Sequence, residues 1–338
     1  MARREYDESD AKVRPNRRGS RPRTKIRPAH EDAVLGTVIG VDRGRYTVQV
    51  DDAVVTAVKA RELGRRGLVI GDLVGVVGDV SGRPDTLARI VRREERTTAL
   101  RRTADDTDAT ERVIVANAEQ LAIVTALADP EPNPRMIDRC LVAAFDAGMS
   151  ALLVLTKADL ADATELRRAY EPLGVRVLET SVRRDGGPAA DPGFVELRDA
   201  LVDGTTVLVG YSGVGKSTLV NALVPDAGRA VGIVNDVTGR GRHTSTSAVL
   251  YDVPTGGRIV DTPGVRSFGL AHVDPAHFIL AFPDIADAAD ERCPRGCTHE
   301  SAAAGCELDA WAGDVPDRHA RVDSIRRLLA SRAAGEAY

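Results

Sequence analysis

The sequence predicts a multi-domain protein with a small N-terminal β-barrel, a central α/β domain and a C-terminal helical domain. Three observations predict this fold class. Short apolar segments that alternate with polar residues fill positions 33–93, and longer apolar runs alternate with amphipathic stretches across 121–260. A cysteine-histidine cluster and further helical segments occupy the rest of the 338 residues. The predicted bounds are an arm at 1–30 and domains at 31–95, 96–270 and 271–338.

The arm at residues 1–30 is strongly basic. Ten lysines and arginines stand against four acids in residues 1–28, whereas the whole chain has a net charge of −4. Such a segment cannot bury enough apolar surface to fold alone, so we predict that it is disordered. An arginine-rich arm suits the phosphates of a nucleic acid, and a solubilising tail is the alternative interpretation.

The first domain has the pattern of a closed barrel. Glycine, aspartate and Arg-Gly pairs separate its strands and are typical of turns. Five strands in about sixty residues favour the OB-fold, which binds RNA through a groove or serves as a spacer. RNA contact here would depend on arginines such as Arg61, Arg65 and Arg66. The predicted strands lie at 34–39, 46–50, 54–58, 73–77 and 87–91.

The central domain has the pattern of a parallel sheet covered on both faces, because apolar strands alternate with amphipathic helices. The predicted strands lie at 121–127, 151–155, 175–178, 207–209 and 259–260. The predicted helices lie at 135–147, 163–171, 194–202 and 217–223, and a further helix near 317–333 ends the C-terminal domain.

Residues 210–217 fit the phosphate-loop pattern G-x-x-x-x-G-K-[ST], between a predicted strand and a predicted helix. Glycines let backbone N–H groups wrap anionic oxygens, Lys216 can reach the β- and γ-phosphates, and Ser217 can ligate Mg²⁺. A glycine-rich turn with a solvated lysine is the alternative. The predicted nucleotide contacts are Gly210, Tyr211, Ser212, Gly213, Val214, Gly215, Lys216, Ser217 and Thr218.

A second motif is predicted to recognise the base of the nucleotide. One predicted strand ends in Thr156-Lys157-Ala158-Asp159, which looks like the guanine-reading motif N-K-x-D of GTPases with threonine in the asparagine place. The Asp159 carboxylate can accept from the guanine N1–H and the exocyclic amine together, a pair of donors that adenine lacks. Ser181, after the next strand, resembles the loop that backs the base. A chance K-x-D match is the alternative for this motif taken alone.

A third motif follows the phosphate loop. Asp261-Thr262-Pro263-Gly264 matches D-x-x-G, in which Asp261 holds Mg²⁺ through water and Gly264 senses the γ-phosphate. The loop before it contains Thr244 and Ser245, and either hydroxyl could complete the Mg²⁺ shell.

The residue after the third motif is Val265, where many GTPases have a glutamine that orients water. His243 is therefore the candidate for that role, because imidazole can orient or accept from water at neutral pH. Contact with a partner is the alternative. The predicted catalytic residues are His243, Lys216 and Asp261.

The order of the motifs is unusual. The base reader at 156–159 precedes the phosphate loop, whereas ordinary GTPases run in the opposite order. The sequence therefore predicts a circularly permuted P-loop GTPase domain that uses GTP and Mg²⁺, since chain breaks are tolerated in surface loops.

The cysteine-histidine cluster predicts a zinc site. Cys293, Cys297, His299 and Cys306 lie within fourteen positions in the spacing C-x3-C-x-H-x6-C. Three thiolates and one imidazole describe a closed tetrahedral Zn²⁺ site, which is structural because no coordination position stays open. Buried free thiols and disulfides are the alternatives.

The permuted order, the segment DTPGVRSFG at 261–269 and the segment CPRGCTH at 293–299 together resemble the ribosome small subunit-dependent GTPase A family over residues 33–335. The resemblance implies that the chain binds the small (30S) ribosomal subunit and its rRNA late in maturation. It also implies that the subunit stimulates GTP hydrolysis and that His243 is the switch histidine. Thr156 departs from the family pattern, which has asparagine there.

The sequence also argues against several other classes of protein. No stretch approaches the roughly 18 apolar residues of a membrane span, and the N-terminus lacks the apolar core of an export signal, so we predict a cytoplasmic monomer without membrane contact. An RNA-binding assembly scaffold in which GTP binding is mainly structural is the alternative function. An ATP-dependent kinase is disfavoured by Asp159.

Overall fold

The computed structural model describes residues 30–42, 44–64, 67–102, 112–182, 186–227, 248–262, 268, 278–301 and 305–333. The chain separates into two compact units, Met1–Glu31 and Asp32–Tyr338, and the fold below is that of the second. Residues 1–29 of the predicted arm lie outside the described residues, as do Arg65 and Arg66.

Five strands form a closed barrel in the order β1-β2-β3-β5-β4, which confirms the predicted OB-fold barrel. All neighbouring pairs are antiparallel except β3 and β5. Alternate residues point inward, so that valines such as Val38, Val48 and Val55 are fully buried in its core. The strands are β1 (Val34–Asp42), β2 (Arg45–Val50), β3 (Ala53–Lys59), β4 (Leu73–Val77) and β5 (Ala88–Arg93).

A short hairpin that the sequence does not predict follows the barrel. Its strands are β6 (Ala99–Arg102) and β7 (Arg112–Ala116), and Val115 of β7 forms a bridge with Ile70 before β4. The hairpin therefore links the barrel to the domain that follows.

Polar side chains reinforce this link, and we call them the barrel joint. Arg96 donates two hydrogen bonds to the fully buried carboxylate of Asp72, at 2.7 and 2.9 Å. The side-chain amide of Asn117 donates to the Gly71 carbonyl at 2.7 Å, and its oxygen accepts from the Thr97 N–H at 2.9 Å. The barrel is thus attached to the α/β domain by hydrogen bonds that span both.

The α/β domain contains a six-stranded sheet in the order β10-β9-β8-β11-β13-β12. The strands are parallel except for β12, which runs antiparallel to β13 at the edge. This arrangement confirms the predicted parallel sheet and adds β12, which the sequence analysis does not include. The strands are β8 (Gln120–Ala126), β9 (Ser150–Thr156), β10 (Arg176–Thr180), β11 (Thr205–Val209), β12 (Val249–Asp252) and β13 (Arg258–Asp261).

Helices cover both faces of this sheet. Leu121 and Ile123 of β8 pack with α1 on one face, whereas Ala122 and Val124 pack with α3 and α4 on the other. A strand buried on both faces explains why β8 reads as an uninterrupted apolar run. The helices are α1 (Pro134–Asp146), α2 (Thr164–Tyr170), α3 (Pro192–Ala200) and α4 (Lys216–Leu223).

The C-terminal region consists of α5 (Pro283–Arg292), α6 (Leu308–Ala312) and α7 (Pro316–Ala333) among the described residues. Its α7 packs on α1, where Arg327 lies 3.3 Å from the buried carboxylate of Asp138. The same guanidinium stacks 5.0 Å from the ring centre of Tyr170. The C-terminal region is therefore docked on the α1 face of the sheet. Within the described residues, no helix combines the length and apolar character that crossing a membrane requires.

Candidate functional site

The predicted phosphate loop follows the carboxyl end of β11, and its last two residues, Lys216 and Ser217, begin α4. Its neighbour in the sheet is β8, and the helices that follow these two strands cover opposite faces. Ligands of open α/β sheets bind at such a switch point. Gly210 is required there, because a Cβ atom would lie 2.4 Å from the carbonyl oxygen of Val124 on β8.

The lysine of the loop meets the D-x-x-G segment. Lys216 Nζ lies 2.9 Å from Asp261 Oδ1 and donates to the Thr262 carbonyl at 3.2 Å. The Thr262 hydroxyl in turn donates to the carbonyl of Leu208 on β11 at 2.7 Å. Two predicted catalytic residues, Lys216 and Asp261, are therefore in direct contact.

The predicted base reader lies at the end of β9, one strand beyond β8. Thr156 is buried, and its hydroxyl donates to the carbonyl of Val214 in the phosphate loop at 2.5 Å. The two motifs lie 58 residues apart at this contact. The fold therefore brings them together although their order along the chain is reversed.

The other residues of the base reader adopt a fixed arrangement. Lys157 has a positive φ of 56°, and its ammonium group donates to the carbonyl of Asp129 after β8. The hydroxyl of Ser181 donates to Asp159 Oδ1, and the N–H of Ala158 donates to the Thr180 carbonyl at 3.3 Å. A hydrogen bond therefore joins Asp159 of the predicted base reader to Ser181 of the predicted backing loop.

These loops enclose a cavity of about 670 Å³. Ala158 and Val214, by contrast, pack into the cores on the two faces of the sheet. Most of the predicted nucleotide contacts among the described residues line the cavity: Thr156, Lys157, Asp159, Ser181, Gly210, Tyr211, Ser212, Gly213, Gly215, Lys216, Ser217 and Thr218.

Four residues of the cavity wall are missing from the predicted set. Asp129 follows the carboxyl end of β8, Leu160 and Val182 adjoin Asp159 and Ser181, and Leu219 follows Thr218 in α4. The loop that contains Asp129 could have been predicted to belong to the site, because it follows β8, which lies between the two strands that carry the motifs. Asp191, which lies behind the cavity and contacts Ser181, is a fifth residue that motif reasoning does not reach.

Several predicted site residues cannot be placed in this way. His243, Thr244, Ser245 and Gly264 lie outside the described residues. Their roles remain predictions from the sequence.

The cysteine-histidine cluster is assembled in the structure. The four candidate ligand atoms of Cys293, Cys297, His299 and Cys306 all lie within 4.8 Å of one another. The Cys306 sulfur is 4.0 Å from that of Cys293 and 3.7 Å from Nδ1 of His299. Ligands of a tetrahedral zinc ion with bonds near 2.3 Å are separated by about 3.8 Å, so this donor set fits a metal of that kind.

The electrostatics of the cluster also favour a cation. Burial, with a contribution from the Cys306 thiol, raises the pKa of the Cys293 thiol to about 11, and burial lowers the pKa of His299. A bound cation would offset the cost of ionising these thiols. Outside the cluster, Arg326 donates to the Cys306 sulfur at 3.8 Å and pairs with Asp309 at 2.7 Å.

Comparison with known proteins agrees with this geometry. The family model described as RsgA GTPase matches residues 93–271. The chain is 39% identical over 248 residues to the small ribosomal subunit biogenesis GTPase RsgA of Pseudomonas syringae pv. tomato, covering 72% of this chain and 69% of the relative. The protein of the same name from Pseudomonas aeruginosa strain LESB58 is 41% identical over 224 residues, 64% of each chain.

Two solved structures share the fold at 22% sequence identity. YloQ, described as a circularly permuted GTPase, matches with a TM-score of 0.64 over 90% of this chain and 96% of its own. YjeQ from Thermotoga maritima matches with a TM-score of 0.58 over 89% and 99%. The chain therefore belongs to the RsgA GTPase family and is a GTPase whose motifs run in circularly permuted order.

Proposed function

We propose that this GTPase binds the small (30S) ribosomal subunit, contacts its rRNA, acts late in its maturation and hydrolyses GTP when the subunit stimulates it. The relatives named above are small ribosomal subunit biogenesis GTPases, and the resemblance of the motifs implies the same. The observation that carries the GTP-binding part of the proposal is the hydrogen bond between Thr156 and Val214, because it joins the base reader and the phosphate loop around one cavity.

In this proposal the guanine base occupies the Asp159 side of the cavity. The carboxylate accepts from the N1–H and the amine of guanine, while Ser181 holds one of its oxygens. The aliphatic stem of Lys157 lies along the same wall. An adenine base would leave the carboxylate without two donors, which disfavours ATP.

The phosphates occupy the loop at 210–217. Lys216, now paired with Asp261, turns to the β- and γ-phosphates when GTP enters, because the triphosphate carries more charge than one carboxylate. Mg²⁺, when bound, neutralises charge on the β- and γ-phosphates. Ser217 and Asp261 would hold it, with Thr244 or Ser245 completing its shell, and His243 would orient the attacking water for hydrolysis.

The Cys₃His cluster holds one structural Zn²⁺ in this proposal. Four protein ligands fill a tetrahedral shell, so the ion organises the chain around Cys293–Cys306 and takes no part in hydrolysis. Helix α6 begins at Leu308, directly after the last ligand, and α6 packs on α7. Zinc would therefore stabilise the C-terminal domain.

The remaining proposals concern partners, location and domain bounds. The basic arm at 1–30 would contact rRNA, because its arginines suit phosphate groups. We propose a cytoplasmic monomer, with an OB-fold domain at 31–95, a GTPase domain at 96–270 and a zinc-binding helical domain at 271–338.

GTP turnover with and without purified small subunits tests the function. We expect the small subunit to raise the turnover number at least about tenfold, as partner-supplied groups do for other GTPases. Large subunits serve as the control for non-specific RNA contact. Equal rates with and without small subunits would contradict the proposal.

A Ser217→Ala variant separates enzyme from scaffold. It should lose Mg²⁺-dependent GTP hydrolysis and the difference in co-sedimentation between a non-hydrolysable GTP analogue and GDP. Ser150→Ala is the control, because it removes a hydroxyl at the start of β9, at the end of the strand away from the base reader. The Ser150 hydroxyl donates to the Glu119 carbonyl, and its loss should change neither GTP hydrolysis nor the difference in co-sedimentation. If the Ser217 variant still associates with and leaves subunits normally, GTP binding is mainly structural and the protein is an assembly scaffold.

A further inference from the structure

A buried carboxylate lies behind the base reader. Asp191 precedes α3 and is only 5% exposed. Its Oδ2 accepts from the Ser181 N–H at 2.7 Å and from the Thr180 hydroxyl at 2.5 Å, while its Oδ1 accepts from the Gly193 N–H at 3.1 Å. The Oδ2 atom therefore has its donors at the end of β10, and the Oδ1 atom has its donor at the start of α3.

The packing of α3 on β10 fixes the position of this carboxylate. A Cβ atom on Gly193 would lie 1.6 Å from the carbonyl oxygen of Glu179, so only glycine allows the helix to start so close to the strand. Asp191 is held at that contact by hydrogen bonds from both elements.

The contacts continue from Asp191 to the base reader. The Ser181 N–H donates to Asp191 Oδ2 on one side, and the Ser181 hydroxyl donates to Asp159 Oδ1 on the other. Each of these hydrogen bonds has a charged acceptor, and such bonds are stronger than those between neutral groups. Ser181 is thus fixed between two carboxylates, one buried and one at the cavity.

The orientation of Asp159 matters for guanine because two donors of the base meet its two oxygens together. A carboxylate that rotates freely can still accept one hydrogen bond, but it loses the paired geometry. Hypoxanthine has the N1–H of guanine and lacks the exocyclic amine, so its binding depends less on that rotation. The ratio of the two affinities therefore reports how well Asp159 is oriented.

We propose that Asp191 is a positioning residue that sets guanine selectivity by fixing Ser181 and, through it, the carboxylate of Asp159. Asp191 does not line the cavity among the described residues and acts only through Ser181. This inference rests on the proposed role of Thr156–Asp159 as the base reader.

The test compares GDP with inosine diphosphate in titrations of the full chain. Asp191→Ser keeps a residue that caps helices well but is too short to reach Ser181, whereas Asp191→Asn keeps one acceptor oxygen that can reach Ser181 and loses the acceptor for the Gly193 N–H. We expect the serine variant to lose about tenfold in GDP affinity and about twofold in inosine diphosphate affinity. The asparagine variant should keep most of the wild-type ratio. Asn133→Ser changes the cap of α1, which accepts from Met136 N–H at 3.1 Å, and should leave the ratio unchanged.

The outcomes separate this inference from the proposed function. A wild-type protein that binds both nucleotides equally would contradict the base reader itself. A wild type that discriminates, with an Asp191→Ser variant that discriminates equally, would overturn the role of Asp191 alone. If the serine variant does not fold, the ratio of GDP affinity to inosine diphosphate affinity is measured in Ser181→Ala instead, since that variant removes the hydroxyl through which Asp191 acts. An unchanged ratio in Ser181→Ala also overturns the inference.

Discussion

The hydroxyl of Thr156 shows how one side chain can join two motifs. Valine has nearly the same shape as threonine, so Thr156→Val removes the hydrogen bond to the Val214 carbonyl at 2.5 Å and a longer one to the Thr125 carbonyl at 3.4 Å, and it leaves the Val214 acceptor without this donor. A lost hydrogen bond of this kind costs about 1 to 3 kcal/mol. We expect GDP affinity to fall about tenfold, which corresponds to roughly 1.4 kcal/mol. Titration with a fluorescent GDP analogue measures the change.

Thr156→Ser is the matched control for this prediction, because serine keeps the hydroxyl and removes one methyl group. It should bind GDP within about twofold of the wild type. Equal losses in the valine and serine variants would show that packing, and not the hydrogen bond to the phosphate loop, determines the effect.

We expect Asp261, the partner of Lys216, to have opposite effects on GDP binding and on GTP hydrolysis. Asp261→Asn removes the charge that holds Lys216 at 2.9 Å, so the lysine becomes available to phosphates without breaking a pair. We expect GDP affinity without Mg²⁺ to rise about threefold, in line with the modest value of partly exposed pairs. GTP hydrolysis with Mg²⁺ should fall at least about a hundredfold, because Asp261 would no longer hold the ion.

Calorimetry in EDTA and steady-state kinetics in Mg²⁺ measure these two effects separately. Asp252→Asn removes an exposed carboxylate of β12 beside β13 and should alter neither value. If Asp261→Asn weakens GDP binding in EDTA, the ion pair supports the site instead of competing with the nucleotide.

At this scale the sequence predicts residues that belong to motifs and misses those that act through tertiary contact. Lys216, Asp159 and Ser181 follow from local patterns, and the structure places all three at the cavity. Asp129 and Asp191 have no local signature, because their partners lie 28 and 10 residues away and meet them only after the sheet has formed.

At the scale of elements, the Cys₃His cluster lies next to α6, and we expect a zinc ion bound there to order both. Cys297→Ser should reduce zinc affinity by more than about a hundredfold, because a hydroxyl replaces a thiolate ligand. Trp311, the only tryptophan in the sequence, lies on α6 with the Arg318 guanidinium 4.8 Å from its ring. Its fluorescence should therefore change when the variant is prepared or when zinc is removed by a chelator.

Cys140→Ala is the control for the zinc prediction, since Cys140 is buried in α1 and is not part of the cluster. It should retain one zinc per chain by metal analysis and a wild-type tryptophan spectrum. Full zinc content in Cys297→Ser would contradict the assigned ligand set.

Elements with a strong local pattern were predictable, and elements without one were not. Helix α7 was expected at 317–333 and lies at Pro316–Ala333 although it carries many arginines, which find partners such as Asp284, Asp309 and Asp138. The hairpin of β6 and β7 has only four and five residues, and its first strand reads as part of an arginine-rich linker. A strand this short forms because a partner strand and the barrel lie beside it, which no local pattern reports.

For the whole molecule, the motif order determined the topology that could be expected. The loops after β9 and β11 meet because both strands flank β8 in the sheet. The attachment of the barrel could not be predicted in this way. Its joint depends on Asp72 and Arg96, 24 residues apart in a region that reads as turns and an arginine-rich stretch.

The barrel joint should therefore contribute strongly to the stability of the molecule. Arg96→Ala leaves the fully buried Asp72 carboxylate with the Val69 N–H at 2.8 Å but without its charged partner. Breaking a buried pair in this manner costs about 3 to 5 kcal/mol. Arg176 and Glu196 form a pair of equal length, 2.7 Å, whose side chains are each 52% exposed. Arg176→Ala should cost less than about 1 kcal/mol, because water screens that pair.

Urea unfolding followed by circular dichroism measures both variants against the wild type. The free energy of unfolding should fall by several times more in Arg96→Ala than in Arg176→Ala, and limited proteolysis should cut first between the barrel and the hairpin in the former. Equal losses would mean that Asp72 gains access to water once Arg96 is removed. The barrel would then be held to the α/β domain chiefly by the apolar contacts around Ile70 and Val115, which lie in one continuous core.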